Sequence, residues 1–349
     1  MNDHDGITRR SFTARAGAAT ALAGLQSLPL ARPARAQGLR KVTMRLDWLF
    51  QGPNDGFMIA QKKGFYREAG LDVDIGPGKG SGSTAQLVAS KATEFGFSDG
   101  YVVGNGVAKG LDIRMVAGIY RRNPAAVVVL ADSPIRSPKD LEGRSIGIPT
   151  GSAQFQQLPA FLKGCGVDPA KVRVVNVDPA GSPPALVNRQ VEAVAGFVQG
   201  YVPSIEFRGG GATRLFWYAD CGVNVISDGI VVHNDLIRAE PKLIGDFVAA
   251  SVKGFLWGRE HPDEAAGIIR EYSEATVPAI SKREMELSWK TWVTPNTAGR
   301  PLGWMSHEDW QSTVEVLKTY GGVTAPLEAG RLYTNDFVPA GAEYVPPQT

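Results

Sequence analysis

The chain has 349 residues, 43% of them hydrophobic and 21% charged, and 37 Lys+Arg against 35 Asp+Glu leave a formal net charge of +2. These values suit a globular protein and exclude a disordered chain, a collagen-like repeat and a polytopic membrane protein. The lack of a basic surplus argues against a nucleic-acid partner, and the length suggests about two domains at roughly 100–200 residues each.

The N-terminus reads as an address. Arg9 and Arg10 form a twin-arginine pair before Ser11 and Phe12. A weakly apolar stretch from Ala16 to Leu30 is too short to span a bilayer at ~20 residues. Ala34-Arg35-Ala36 then offers a small-x-small cleavage site. Residues 1–36 resemble a Tat export signal, so a soluble periplasmic protein is expected. Without the five Arg, Asp3 and Asp5 of that segment, 32 basic and 33 acidic residues remain, a net charge near −1. No lipobox cysteine follows, so no lipid anchor is expected. The two cysteines, Cys165 and Cys221, are expected as buried free thiols, and no Cys/His cluster suggests a metal.

From Lys41 onward, strand-like and helix-like segments alternate. Val42, Met44 and Leu46 alternate as a strand; Gly56 to Arg67 has helical spacing; Leu71, Val73 and Ile75 form a second strand. Thr84 to Ser90 reads as a helix, Thr93 to Phe97 as a strand and Tyr101 to Ala108 as a helix. Ile113 to Ile119 and Ala126 to Leu130 are strand-like. After the turn-rich Ser133 to Gly143 a second series follows: strands at Arg144–Ile148, Lys171–Val177, Glu192–Phe197 and Arg214–Tyr218, and helices at Ser152–Gly164 and Pro184–Gln190. Val223 to Val232 reads as a long β-type run that crosses back to the first series. The remainder is helical, over Pro241–Arg259, Asp263–Tyr272, Lys282–Trp292 and His307–Tyr320. Such βα units imply an α/β fold with two lobes around mainly parallel sheets. Residues 40–130 with 230–349 are expected to form one lobe, and 131–229 the other. A faint echo links Leu87-Val88 and Thr93-Glu94-Phe95 to Leu186-Val187 and Val191-Glu192-Ala193.

Ligands of such sheets bind at the carboxyl ends of the strands, and the candidate residues lie there. In the loop after the first strand, Trp48 offers a stacking face, while Asn54 and Asp55 offer polar contacts or a helix cap. Ser98, Asp99 and Tyr101 follow the third strand. Gly151, Ser152 and Gln154 open a helix whose free N–H groups suit an anion. Gln199, Tyr201, Asn224 and Asp228 are further strand-end polar groups. The glycine-rich Gly76–Ser83 reads as a flexible loop. Neither a P-loop, nor GxSxG, HExxH or a Rossmann GxGxxG is present, so no catalytic residue and no cofactor are expected.

The run LDWLFQGPNDGFMIAQKKGFYREAGLDVDI, with Asp47-Trp48 and Gly64-Phe65-Tyr66, and the stretch from Asp140 to Ile148 resemble the NMT1/THI5-like family of ABC-transporter substrate-binding proteins. The resemblance implies a type II periplasmic-binding fold, a small-molecule ligand, a monomer and an inner-membrane ABC permease as partner. Closure is expected about crossings near Ala126–Ala131 and Asp228–Val232. The family spans binders of sulfonates, nitrate and pyrimidine thiamine precursors, and a branch that makes hydroxymethylpyrimidine. That branch carries a run of cysteines where this chain has only Cys221, and a cofactor lysine where it has Ser98. Asp47-Trp48 favours a planar pyrimidine-type thiamine precursor, and the Gly151-Ser152 helix start favours a sulfonate, taurine, nitrate or similar anion.

Overall fold

The computed structural model describes residues 38–347; the export-signal reading falls outside them. The strands are β1 (Arg40–Arg45), β2 (Leu71–Gly76), β3 (Phe95–Asp99), β4 (Ile113–Gly118), β5 (Ala125–Leu130), β6 (Ser145–Ile148), β7 (Arg173–Asn176), β8 (Ala193–Phe197), β9 (Thr213–Trp217) and β10 (Asp228–His233). They form two five-stranded sheets, ordered β2-β1-β3-β10-β4 and β7-β6-β8-β5-β9. In each sheet the first three strands are parallel, and the fourth in order, β10 or β5, runs antiparallel to both neighbours. The sheets are therefore mixed, each with one reversed strand. Strands β3 and β5 are buried along their whole length; β5 accordingly reads as a continuous apolar run, whereas edge strand β2 alternates.

Three expectations about the elements need correction. The strand ending at Leu130 is expected in the first lobe, but Val127 pairs with Ala195 of β8 and Phe216 of β9. The chain therefore crosses between Gly118 and Ala125, before that strand, and returns between Trp217 and Asp228. An apolar run carries no mark of which sheet will accept it. The long run from Val223 is a strand only from Asp228; Val223, Val225 and Ile226 are apolar because they are buried in the core, outside any strand. The helix expected over 56–67 is broken in two, Asp55–Lys62 and Phe65–Glu68, at Gly64, whose φ of 81° suits glycine.

The sequence echo has a structural counterpart. Thr43 N donates to the Glu94 carboxylate at 3.0 Å and Glu94 N donates to Thr43 Oγ1 at 3.0 Å. In the second sheet, Ser145 N donates to Glu192 at 2.9 Å and Glu192 N donates to Ser145 Oγ at 3.1 Å. Each glutamate also meets an arginine, Arg40 or Arg144. The same clamp thus ties β1 to the start of β3 and β6 to the start of β8.

The cysteines, expected free, are bonded: Cys165, at the end of the helix Ala153–Gly164, joins Cys221, with Cα atoms 5.0 Å apart. Their separation of 56 residues conceals that the helix end and the second crossing meet. Among the described residues no helix is long and apolar enough to cross a membrane.

Candidate functional site

The carboxyl ends of the parallel strands of the two sheets face one another across a narrow cleft. Its first wall is the segment after β1. Leu46 is buried at the strand end, and the chain then turns through Asp47 and Trp48 to Asn54. Asn54 Nδ2 donates to Asp47 Oδ1 at 2.8 Å. The glycine-rich loop after β2 is not loose: Gly78 N donates to the Trp48 carbonyl at 2.8 Å and Gly80 N to the Asp47 carbonyl at 2.7 Å. From the second sheet come Phe197 at the end of β8, Gly200 and Tyr201 of the helix Val198–Ile205, and Ser152 to Gln154 at the start of the helix Ala153–Gly164. Tyr120 from the first crossing and Asp228 from the start of β10 complete it.

The electrostatics are one-sided. Asp47 and Asp228 line the cleft, and among the described residues no Lys, Arg, His or Cys does. Burial pushes the Asp47 carboxyl up to about 6, against the opposing hydrogen bond from Asn54. Asp228 is pushed well above the ordinary range, first by burial and then by its neighbours Asp47 and Asp99. Ser81 Oγ donates to Asp228 Oδ1 at 3.4 Å, and Oδ2 has no partner. Four aromatic side chains, Trp48, Tyr120, Phe197 and Tyr201, supply flat apolar surface. The arrangement accepts hydrogen bonds from N–H groups on a planar ring, whereas an anion would meet two carboxylates.

Of the residues singled out from sequence, Trp48, Asn54, Ser152, Gln154, Tyr201 and Asp228 line the cleft. The others do not. Asp55 is buried on the far side of its helix, against Gly258 of the helix Pro241–Glu260. Ser98 is fully buried and donates to the Ser81 carbonyl at 3.1 Å. Asp99 caps the helix Gly100–Ala108, accepting from Tyr101 N at 2.9 Å, and takes Gln157 Nε2 at 3.1 Å; burial pushes it up to about 7. Tyr101 belongs to the core. The Gly151 carbonyl accepts from Gly82 N at 3.1 Å, joining a loop of the second sheet to one of the first. Ser152 Oγ is spent on Phe155 N at 3.1 Å. Gln199 and Asn224 lie in a separate groove beside the crossings.

Sequence reasoning does not single out Ser81, Tyr120 and Phe197, and it weighs Asp47 only as part of the Asp47-Trp48 pair. Phe197 ends β8 and Tyr120 lies two residues past β4, so the strand-end rule would find both if apolar and aromatic residues were admitted beside polar ones. Asp47 stands inside the motif, overshadowed by its neighbour Trp48.

A family model described as NMT1/THI5 like matches residues 54–265. The riboflavin-binding protein RibY of Chloroflexus aurantiacus is 28% identical over 322 residues, 90% of this chain and 91% of that one. The formylaminopyrimidine-binding protein of Halalkalibacterium halodurans is 27% identical over 298 residues, 84% and 89% of the two chains. Among solved structures, the alkanesulfonate-binding protein SsuA from Xanthomonas axonopodis pv. citri, bound to MOPS, superposes with a TM-score of 0.66 at 13% identity, covering 84% of this chain and 98% of that one. That likeness shows the fold, a periplasmic-binding-protein fold. With a family model covering well over half of its length, the chain belongs to the NMT1/THI5-like family.

Proposed function

We propose that the protein is the solute-binding component of an ABC importer, working in the periplasm after Tat export, and that it captures a planar nitrogen heterocycle of the pyrimidine type. The observation that carries the ligand class is the pair Asp47 and Asp228 facing an aromatic-lined cleft in which no cationic side chain stands among the described residues. A ring bearing amino or ring N–H groups would stack on Trp48 or Tyr201 and donate to the two carboxylates. The relatives' names, riboflavin-binding and formylaminopyrimidine-binding, support a heterocyclic ligand. The helix start at Ser152 favours the sulfonate or nitrate alternative, but an anion there would face the Asp47 and Asp228 carboxyls with no cationic partner among the described lining residues. A synthase-like enzyme would need a nucleophilic or cofactor-bearing side chain in the cleft. Ser98, the position matched to the cofactor lysine, is buried behind it with its hydroxyl on Ser81.

Capture is non-catalytic. Ligand lands on the Trp48 wall, and closure brings Phe197, Tyr201 and Gln154 against it; closure is favoured only by interactions that the ligand makes in the closed form and lacks in the open one. The closed surface then docks on a membrane permease, the protein acting as a monomer.

Thermal unfolding of the mature protein against a panel tests the reading, since a ligand specific for the folded form raises the melting temperature. Hydroxymethylpyrimidine, formylaminopyrimidine or riboflavin is expected to raise it. Trp48→Ala should weaken that ligand by about tenfold or more, the worth of a lost stacking partner. A response to taurine, alkanesulfonates or nitrate alone would overturn the heterocycle assignment.

A further inference from the structure

The helix Val198–Ile205 has two working faces. Gly200 and Tyr201 turn to the cleft, while Gln199 and Val202 turn to a groove on the other side. The groove's opposite wall is the helix Pro278–Trp289 with Arg283, followed by Lys290, and its floor is the two crossings, with Arg121 and Arg122 on the first. We infer that this groove is a second binding site, for a small organic anion with an apolar body, such as an aromatic carboxylate or phosphate monoester.

Two buried donors carry the inference. Arg121 is 2% exposed and Gln199 1% exposed, yet Arg121 Nη2 and Gln199 Nε2 have no acceptor. The rest of the Arg121 guanidinium is used: Nη1 donates to the carbonyls of Pro301 at 3.1 Å and Trp304 at 3.0 Å, and Nε to that of Trp292. Buried donors left unmade are costly, and both side chains belong to the groove lining, the side from which an acceptor would come. The rim adds charge. Arg122 and Lys290 are exposed with no ion pair among the described residues, and Arg283 meets only the half-buried Glu286 at 3.1 Å. Against these cations stand Asp220 and Asp309, and Asp309 already accepts from Thr294 Oγ1 at 2.9 Å and Asn296 Nδ2 at 2.7 Å. Leu215 and the ring of Trp217, at the end of β9, give the wall an apolar part. The cleft and the groove thus have opposite electrostatic character, so the groove favours an anion where the cleft opposes one. Because its walls come from both halves, an occupant would also bear on closure.

The test is calorimetric titration of the mature protein with phenyl phosphate at low ionic strength. Saturable binding is expected, weakened by about tenfold or more in Gln199→Leu and in the double variant R122A/K290A, the loss of a charge-assisted hydrogen bond, and unchanged in Trp48→Ala. Arg122 and Lys290 are exposed, so the double variant leaves the fold intact, and its unaltered heterocycle binding would confirm this. Binding that is absent at millimolar probe, that survives R122A/K290A, or that is lost in Trp48→Ala would overturn the second site.

Discussion

At Asp47, ligand capture and stability pull in opposite directions. The carboxyl is buried, receives one side-chain donor from Asn54 at 2.8 Å, and is pushed up to about 6 by loss of water. Holding it ionised in an empty cleft works against the folded state by on the order of 1–3 kcal/mol, given ~1.4 kcal/mol per pH unit of displacement. Asp47→Asn removes that charge at nearly constant shape. Its ligand-free melting temperature at pH 8 is expected to exceed that of the parent, while the response to a pyrimidine ligand disappears. Differential scanning calorimetry on both proteins, with and without ligand, decides it; a variant that loses stability and keeps binding would show that the Asp47 carboxylate is a structural group and not a ligand acceptor. Asp228 differs in having an oxygen with no partner at all, so it is the more exacting acceptor. The sequence offers it only as a strand-end polar group within the run Val223 to Val232, and does not show that the strand starts there. Asp99 looks identical by that criterion, yet it is turned away to cap a helix. Strand-end position specifies the neighbourhood of a side chain, and backbone hydrogen-bond demand then decides which way it points.

At the scale of elements, the cleft depends on two loops that touch through backbone. Gly80 has a φ of 128°, and a Cβ there would lie 2.2 Å from the Gly151 carbonyl oxygen, which is backbone and cannot step aside. Gly200 is superficially alike, but its Cβ would meet Gln51 Nε2 at 2.9 Å, the movable end of a side chain. Gly80→Ala should therefore hold the two halves apart and weaken ligand by about tenfold or more, with a larger radius of gyration in solution scattering, whereas Gly200→Ala should change either quantity little. Equal losses in both variants would mean that the contact of the two loops is incidental to binding. Sequence marks Gly76–Ser83 as a loop but suggests looseness, because glycine content reports conformational freedom in the unfolded chain and says nothing of what the folded backbone touches. The echo around Glu94 and Glu192 is readable for the converse reason. A glutamate that accepts one strand's N–H while its own N–H donates to a Ser or Thr hydroxyl needs those residue types at fixed spacing, so the repeated clamp leaves a repeated motif. The bond between Cys165 and Cys221 leaves none, since a pairing across 56 residues depends on how the whole second half folds.

Across the molecule, the region around the cleft concentrates buried acids. Asp47 is pushed up to about 6, Asp99 to about 7 and Glu284, which accepts Gly52 N at 2.8 Å, to about 8, all chiefly by burial; Asp55 and Asp228 are raised as well. A raised carboxyl keeps its proton in the folded state at a pH where the unfolded chain has already released it. The folded state then binds more protons than the unfolded one, and stability falls as pH rises. The effect begins near the unfolded value of about 4 and runs through the folded values of about 6, 7 and 8. Acids shifted the other way, such as Glu142, held down to about 2 by Lys139, act only below the ordinary carboxylate range and leave this window alone. The ligand-free protein should therefore melt at progressively lower temperature from pH 5 to pH 8. A heterocycle donating N–H bonds to Asp47 and Asp228 stabilises their ionised forms, so the rise in melting temperature it produces should grow over the same interval. Scanning calorimetry in buffers of matched ionic strength measures both trends at once. A ligand-free profile that is flat or climbs would mean that water or counter-ions reach these carboxylates in the empty cleft. A ligand response that shrinks with rising pH would mean that the ligand engages their protonated forms, as an anion would. The pH profile therefore separates the heterocycle reading from its alternative without requiring the natural ligand's identity, because it reports the charge state that the cleft must adopt in order to close.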